Sequence, residues 1–197
     1  KYFTEFWPSD NTDPIERLFI QWGFSQVFPA KTMCAHVTTW NKNSSVKFRT
    51  DVAMMCKLGF DIKLADMSKD DETYCRTAVQ NYNRLKPVVL EGDMYRLVSP
   101  YGSNHTSTMY VGKDKDKAAV FAFDIHPRYA EKILPVRLQG LDADKMYRVK
   151  EINLMPGANS SLSGNGEVFS GEFLMNVGLN LFTAQQLNSR VIEVVAE

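Results

Sequence analysis

The residue pattern of this chain changes once, near Gly92, and this change constrains the fold more than any other feature. Before it, short apolar runs alternate with stretches of helical period, in the order strand, helix, strand, helix, strand, helix. This order is typical of an α/β unit with parallel strands. After it, β-forming residues recur with period two. The sequence therefore predicts an α/β part, residues 1–91, followed by an all-β part, residues 92–197, folded as an antiparallel β-sandwich.

The first predicted strand covers residues 2–7, and the helix after it has a clear start signal. Asp13 stands at the N-cap, Pro14 at the first helical position, and Glu16 three residues after the cap. An apolar stripe with spacing i, i+3, i+4, i+7 then follows at Ile15, Leu18, Phe19 and Trp22. We therefore expect Asp13 to cap this helix.

The remaining elements of the α/β part follow from the same reasoning. A second strand is predicted over residues 33–38, a helix over 46–58 that stops at Gly59, and a strand over 60–64. Ser68, with Asp71 three residues later, predicts another helix start. We expect this helix to bury Tyr74, Ala78, Tyr82 and Leu85 and to end at Pro87.

In the β part, turn-forming residues separate the predicted strands, and the charged run 113–117 reads as a solvated hairpin tip. We expect His105 and His126 to face solvent. The strands are predicted over residues 95–98, 108–111, 118–123, 133–138, 147–152, 168–175 and 191–195.

Composition excludes several classes of function. Lys plus Arg equals Asp plus Glu at 23 each, so no basic surplus is available for nucleic acid. No apolar run approaches the roughly 20 residues of a membrane span. The three cysteines lack CxxC spacing, which indicates neither a disulfide framework nor a metal site and favours buried free thiols.

The strongest candidate for chemistry is the segment Trp7–Asp13, where the first apolar run stops at a cluster of carboxylates. A strand that delivers an acid to its carboxyl end, followed by a helix, is how (β/α) barrels mount catalytic side chains. Asp10 is therefore the candidate acid, although the segment taken alone favours an Asx turn at a helix start. A closed barrel takes about 250 residues, so residues 1–91 would supply only the last strand–helix units of an incomplete (β/α)8 barrel.

Five blocks in order resemble the family 36 glycoside hydrolases, which are retaining α-galactosidases. The blocks are Trp7 with Ser9-Asp10-Asn11-Thr12-Asp13 and Ile15-Glu16-Arg17-Leu18; Met33 with Ala35-His36-Val37; Arg49 with Asp51-Val52-Ala53-Met54; Gly59-Phe60-Asp61; and Ser170-Gly171-Glu172 with Leu174-Met175 and Gly178-Leu179. Cys34 departs from the pattern, since Gly or Ser is common there in the family.

The resemblance implies hydrolysis of terminal α-galactosides, such as melibiose or raffinose-type oligosaccharides, with Asp10 as general acid/base. It implies Trp7, Ser9, Asn11 and His36 as substrate-binding residues, no cofactor or metal, and a homo-oligomer when the protein is complete. The family's nucleophile is the Asp of a Lys-Trp-Asp motif on an earlier strand. No such motif occurs here, so this chain alone is expected to be inactive.

Several alternatives stay open at this point. Trp7 could form a sugar-stacking wall or pack at the strand end, and His36 could be a hydrogen-bonded structural histidine instead of a sugar ligand. Arg49 is expected to tie barrel loops to a carboxylate more readily than to touch substrate. A second hypothesis makes the β part a non-catalytic carbohydrate-binding or assembly module, which an exposed aromatic platform on a sheet face would favour. The compartment is undetermined, with bacterial cytoplasm or periplasm favoured.

Overall fold

A computed structural model describes residues 4–40 and 43–197. The α/β order predicted for the first half is confirmed, because helices and strands alternate there. The elements are α1 (Pro14–Phe24), β1 (Cys34–Thr38), α2 (Val46–Ala53), β2 (Lys57–Asp61) and α3 (Lys69–Glu91), with single 3-10 turns at Ala30–Thr32 and Leu64–Asp66.

The strand segments of this half run parallel. β1 pairs with β2 in parallel register, with His36 opposite Gly59. Phe6 forms one parallel bridge to Met33, just before β1. Of the strand predicted over residues 2–7, residues 2 and 3 lie outside the described ranges, and among residues 4–7 only Phe6 pairs. The carboxyl ends of these segments therefore meet at one edge.

Both predicted helix starts are confirmed. The Asp13 carboxylate accepts hydrogen bonds from the backbone N–H groups of Ile15 and Glu16 at 3.0 and 3.1 Å. The Ser68 hydroxyl accepts one from Asp71 N–H at 3.1 Å. The buried face predicted for α3 is also confirmed.

Two predicted helix ends are wrong. α2 stops at Ala53 and not at Leu58, and Gly59 lies inside β2 instead of terminating a helix. α3 continues through Pro87 to Glu91. Pro87 and Asn83, whose carbonyl loses its helical donor, are both exposed, so water can satisfy that carbonyl. The burial of the next three residues, 88–90, favours continuation of the helix.

The second half forms one six-stranded antiparallel sheet with the order β3-β4-β5-β8-β6-β7. Its elements are β3 (Asp93–Val98), β4 (His105–Val111), β5 (Lys117–Asp124), β6 (Met146–Ile152), β7 (Val168–Ser170), α4 (Gly171–Asn176) and β8 (Asn188–Ala196). The run 133–138 forms only a single bridge, Val136 to Leu179, and the run 168–175 becomes a short strand followed by α4. Long loops and α4, rather than a second sheet, therefore cover the outer face.

Both faces of the central strands are buried. One face packs on the helices, where Tyr110, Phe121 and Val191 share a cluster with Phe48 and Leu85. The opposite face packs on loop residues and α4 in a separate cluster. The central strands therefore offer no exposed aromatic platform of the kind that would favour the carbohydrate-binding hypothesis.

His105 is buried, contrary to the expectation that it faces solvent, whereas His126 is exposed as predicted. His105 begins β4 opposite Asp124, and its Nδ1 lies 2.8 Å from that carboxylate. Its ring stacks on Phe182, with centroids 4.7 Å apart. The prediction failed because the period-two run starts only at Thr108 and left His105 in a loop.

The three cysteines are free thiols, as predicted, but only Cys56 is fully buried, and burial raises its pKa to about 12. No helix within the described ranges is long and apolar enough to cross a membrane.

A buried carboxylate joins the two halves. Asp51 on α2 is fully buried and accepts hydrogen bonds from Tyr74 Oη at 2.9 Å, from Ser189 Oγ at 2.7 Å and from Asn153 Nδ2. Lys47 Nζ lies 2.5 Å from its Oδ2. The partners belong to α2, α3, β8 and the turn after β6, so one side chain connects four parts of the fold.

We expect Asp51→Ala to destabilise the fold by about 3–5 kcal/mol, because it leaves the Lys47 charge and three further donors without their acceptor. The measurement is the free energy of unfolding from urea titration. Asp66→Ala, at an exposed position, is the matched control and should stay within about 0.5 kcal/mol of the parent. Equal losses for the two variants would show that this cluster does not hold the halves together.

Candidate active site

The carboxyl ends of the parallel segments bring the loop 8–13 next to the end of β1. Thr12 Oγ1 lies 3.0 Å from Thr38 Oγ1, and this buried hydroxyl pair joins the two segments. Asp61, the last residue of β2, is exposed at the same edge. The predicted catalytic segment therefore lies at the edge where parallel α/β folds place their sites.

The loop around Asp10 is ordered through its neighbours. The backbone N–H of Asn11 donates to Ser9 Oγ at 3.1 Å, and that of Asp13 donates to Asn11 Oδ1 at 2.9 Å. Asp10 itself is exposed, and its carboxylate accepts no hydrogen bond from the part of the chain that the structure describes. Asp13, in contrast, is committed to capping α1. Asp10 is therefore the carboxylate of this loop that is available for chemistry.

Two further predicted residues, Trp7 and His36, contact each other. Their ring centroids lie 3.6 Å apart with the planes tilted by 56°. The other side of His36 faces Gly59, where a Cβ would come within 2.4 Å of His36 Cδ2. This position of β2 is therefore a glycine, because the imidazole occupies the space that a side chain would take.

The polar atoms of this stack have distinct environments. Trp7 Nε1 is buried and has no acceptor within the described ranges. Burial lowers the pKa of His36, against an opposing effect of Asp61, so the imidazole is neutral near pH 7. A neutral imidazole can donate one hydrogen bond and accept another, which suits polar, uncharged groups such as hydroxyls.

Arg17 is a residue of this site that sequence reasoning missed. It is 3 % exposed, and its guanidinium donates to Ser9 O at 3.1 Å and to Cys34 O at 3.0 Å. Its Cζ lies 5.9 Å from the centroid of the Trp7 ring. The available signal was that Arg17 and Gln21, four residues apart, flank Leu18 on the stripe that faces the interior.

Arg49 does not bind a carboxylate as expected. Its guanidinium donates to Thr38 O and, at 3.4 Å, to Ser45 O. The expectation considered charge alone, whereas the carbonyls at the end of β1 also need donors. Arg49 therefore ties the end of β1 to the start of α2.

A large cleft in the structure does not involve the candidate residues. A cleft of about 840 Å³ between α3 and the β4–β5 hairpin includes no candidate residue. Within the described ranges, no group of three His, Cys, Asp or Glu side chains could hold a metal ion.

Two family models match successive parts of the chain. The family model described as Melibiase matches residues 1–92, and that of the glycosyl hydrolase family 36 C-terminal domain matches residues 105–194. The two matches thus place both halves of the chain among domains of glycoside hydrolases. The chain belongs to glycoside hydrolase family 36.

Individual relatives cover the chain almost completely. Alpha-galactosidase 2 from Hypocrea jecorina is 34 % identical over 98 % of this chain and 25 % of its own length. The crystal structure of the α-galactosidase AgaB from Geobacillus stearothermophilus superposes with a TM-score of 0.86 at 28 % identity, covering 100 % of this chain and 26 % of that one. A variant of AgaA from the same organism, solved in complex with raffinose, has a TM-score of 0.83 at 27 % identity, covering 96 % and 25 %. The chain therefore spans about a quarter of the length of these relatives.

We expect Gly59→Ala to displace His36 and disturb its contact with Trp7, because the new Cβ would overlap the imidazole. Overpacking of this kind costs about 1–3 kcal/mol. The measurements are the unfolding midpoint and the NMR shift of the Trp7 indole N–H. Gly102→Ala is the control, since nothing lies within 4 Å of its added Cβ. An unchanged indole shift in Gly59→Ala would contradict the proposed packing.

Proposed function

We propose that this chain is the C-terminal part of a retaining α-galactosidase and that Asp10 is its general acid/base. The observation that carries the proposal is the position of Asp10, which is exposed at the carboxyl edge of the parallel segments in a loop with no other free carboxylate. The fold similarity to α-galactosidases over the whole chain supports the same reaction class.

The proposed mechanism assigns two successive proton transfers to Asp10. A retaining glycosidase holds two carboxyl groups about 5 to 5.5 Å apart, one of which attacks the anomeric carbon. Asp10 protonates the departing glycosidic oxygen and then deprotonates the water that releases galactose. The attacking carboxylate would come from a part of the protein that precedes this chain.

We further propose that the strand–helix units are the last units of a (β/α)8 barrel. Three parallel segments, each followed by a helix, support this assignment. Within the described ranges β2 pairs only with β1, so its other edge is open to a further strand. We place the division between barrel and β domain at residues 91 and 92, where parallel pairing gives way to antiparallel pairing.

The substrate proposed is an oligosaccharide with a terminal α-galactosyl group, of the melibiose or raffinose type. The relative AgaA was solved with raffinose, which supports this class. Within the described ranges, the hydroxyl hydrogen of Ser9 has no acceptor, nor has the amide of Asn11, whose Oδ1 is already used in the turn. We propose that Ser9, Asn11 and His36 bind the hydroxyls of the galactose and that the ring of Trp7 forms a wall beside the sugar. Assembly of the complete enzyme as a homo-oligomer is part of the proposal.

The effect of losing Asp10 on the rate of hydrolysis should depend on the leaving group of the substrate. In the complete enzyme, we expect Asp10→Asn to slow hydrolysis of raffinose by about 10²–10⁴-fold, because a sugar leaving group needs the proton. Cleavage of an activated nitrophenyl α-galactoside, measured in the pre-steady-state burst, should change much less.

Asp13→Asn is the matched control for that experiment. Asn caps a helix as well as Asp does, so this variant should keep near-parent rates on both substrates. Equal losses on the two substrates for Asp10→Asn would rule out the role of general acid.

The chain of 197 residues alone should release no nitrophenol from nitrophenyl α-galactoside above the uncatalysed rate, because it lacks the attacking carboxylate. The measurement is a colorimetric rate assay, with circular dichroism as the control that the chain is folded. Enzymatic turnover by this chain would overturn the assignment of the nucleophile to a preceding part. A Lys-Trp-Asp sequence at a predicted strand end upstream in the same gene would support it.

A further inference from the structure

We propose that Arg17 is a positioning residue for the reaction, which fixes the backbone of Ser9 against β1 and thereby sets the location of the Asp10 carboxyl. The inference rests on the proposed function of Asp10 as general acid/base. It concerns a residue that lies beneath the catalytic loop and is not proposed to touch substrate.

The contacts of Arg17 bridge two parallel segments. One guanidinium nitrogen donates to the carbonyl of Ser9 and the other terminal nitrogen donates to the carbonyl of Cys34, the first residue of β1. Both are backbone acceptors, so the guanidinium sets the spacing of two main chains. The planar fork of arginine holds two acceptors in a fixed relation, which a flexible ammonium does not.

The charge of Arg17 has no counter-ion in the described part of the chain. No carboxylate lies within ion-pair distance of it there, and burial lowers its pKa. An unpaired buried cation is costly, and an apolar side chain on the same stripe would pack without that cost. The benefit that offsets the cost is the connection between the Ser9 and Cys34 carbonyls.

Asp10 depends on this connection because nothing holds its carboxyl directly. No donor within the described ranges reaches that carboxylate, so its place follows from the backbone of Ser9 and Asn11. The opposite side of the loop is tied to β1 by the pair Thr12 and Thr38. Removing the Arg17 contact takes away the hydrogen bond to Ser9, the residue next to Asp10, and a shift of about 1 Å in a catalytic group can cost about 10²-fold in rate.

The test compares Arg17→Met and Arg17→Lys in the complete enzyme on raffinose and on an activated nitrophenyl α-galactoside. A displaced acid should lower kcat on raffinose by about 10–100-fold and change the burst rate on the activated substrate by less than about threefold. Arg17→Lys should recover part of the raffinose rate, because an ammonium can still bind one carbonyl. KM for raffinose should change little in both variants.

Arg76→Met provides the matched control, since Arg76 is exposed on α3 and, among the residues that the structure describes, pairs only with Glu72. It should leave all rates near those of the parent. If Arg17→Met does not fold, the comparison is made with Arg17→Lys alone. That variant keeps the positive charge and removes the guanidinium that binds two carbonyls at once.

The outcomes separate this inference from the proposed function. Equal losses on the two substrates would mean that Arg17 serves stability only, and unchanged rates would mean that the loop does not need it; either result overturns the inference. If Asp10→Asn itself shows no dependence on the leaving group, the proposed function fails instead. If the loss of rate depends on the leaving group for Asp10→Asn but not for Arg17→Met, only the positioning role of Arg17 is rejected.

Discussion

The buried carboxylate of Asp51 is the interaction on which the relation between the two halves depends. Its partners in α3, β8 and the turn after β6 fix α2 against the antiparallel sheet. Two residues earlier on the same helix, Arg49 binds the carbonyl of Thr38 at the end of β1. Thr38 in turn contacts Thr12 in the loop 8–13 that includes Asp10. The sheet contributes no candidate catalytic residue. It supports the site through α2 and through two contacts, that of Arg49 with Thr38 and that of Thr38 with Thr12.

Both arginines of this region bind carbonyls and leave the carboxylates at the strand ends unpaired. Arg17 and Arg49 are buried or half-buried, and burial lowers the pKa of each. Had either paired with Asp10, the anion would be favoured and the group would be a poorer proton donor. Because the guanidinium groups bind backbone carbonyls, they hold the loop and β1 in place without stabilising the ionised form of Asp10. The proposed reaction needs the protonated form.

Local signals were readable from the sequence, and contacts between distant segments were not. The caps at Asp13 and Ser68 and the buried stripe of α3 depend on residues within one or two turns, so their spacing revealed them. Gly59 looked like a helix stop because nothing in its neighbourhood shows that His36 fills its side-chain space from the adjacent strand. The same limit explains Arg17, whose acceptors lie 8 and 17 residues away. Likewise, the loops that replace a second sheet are held by tertiary packing rather than by β propensity.

The position of the acid also limits where its partner can be. If the two carboxyl groups lie about 5 to 5.5 Å apart, the nucleophile must reach the same edge as Asp10. The Phe6 segment, which leads into the loop of Asp10, pairs on one side with the start of β1. A strand added beyond β2 would lie farther from Asp10 than β1 does. The free side of the Phe6 segment is therefore the shortest route for another strand to bring a carboxylate to Asp10. In a barrel wound in one direction, a strand on that side comes earlier in the chain, which agrees with the proposal that the attacking carboxylate precedes Asp10.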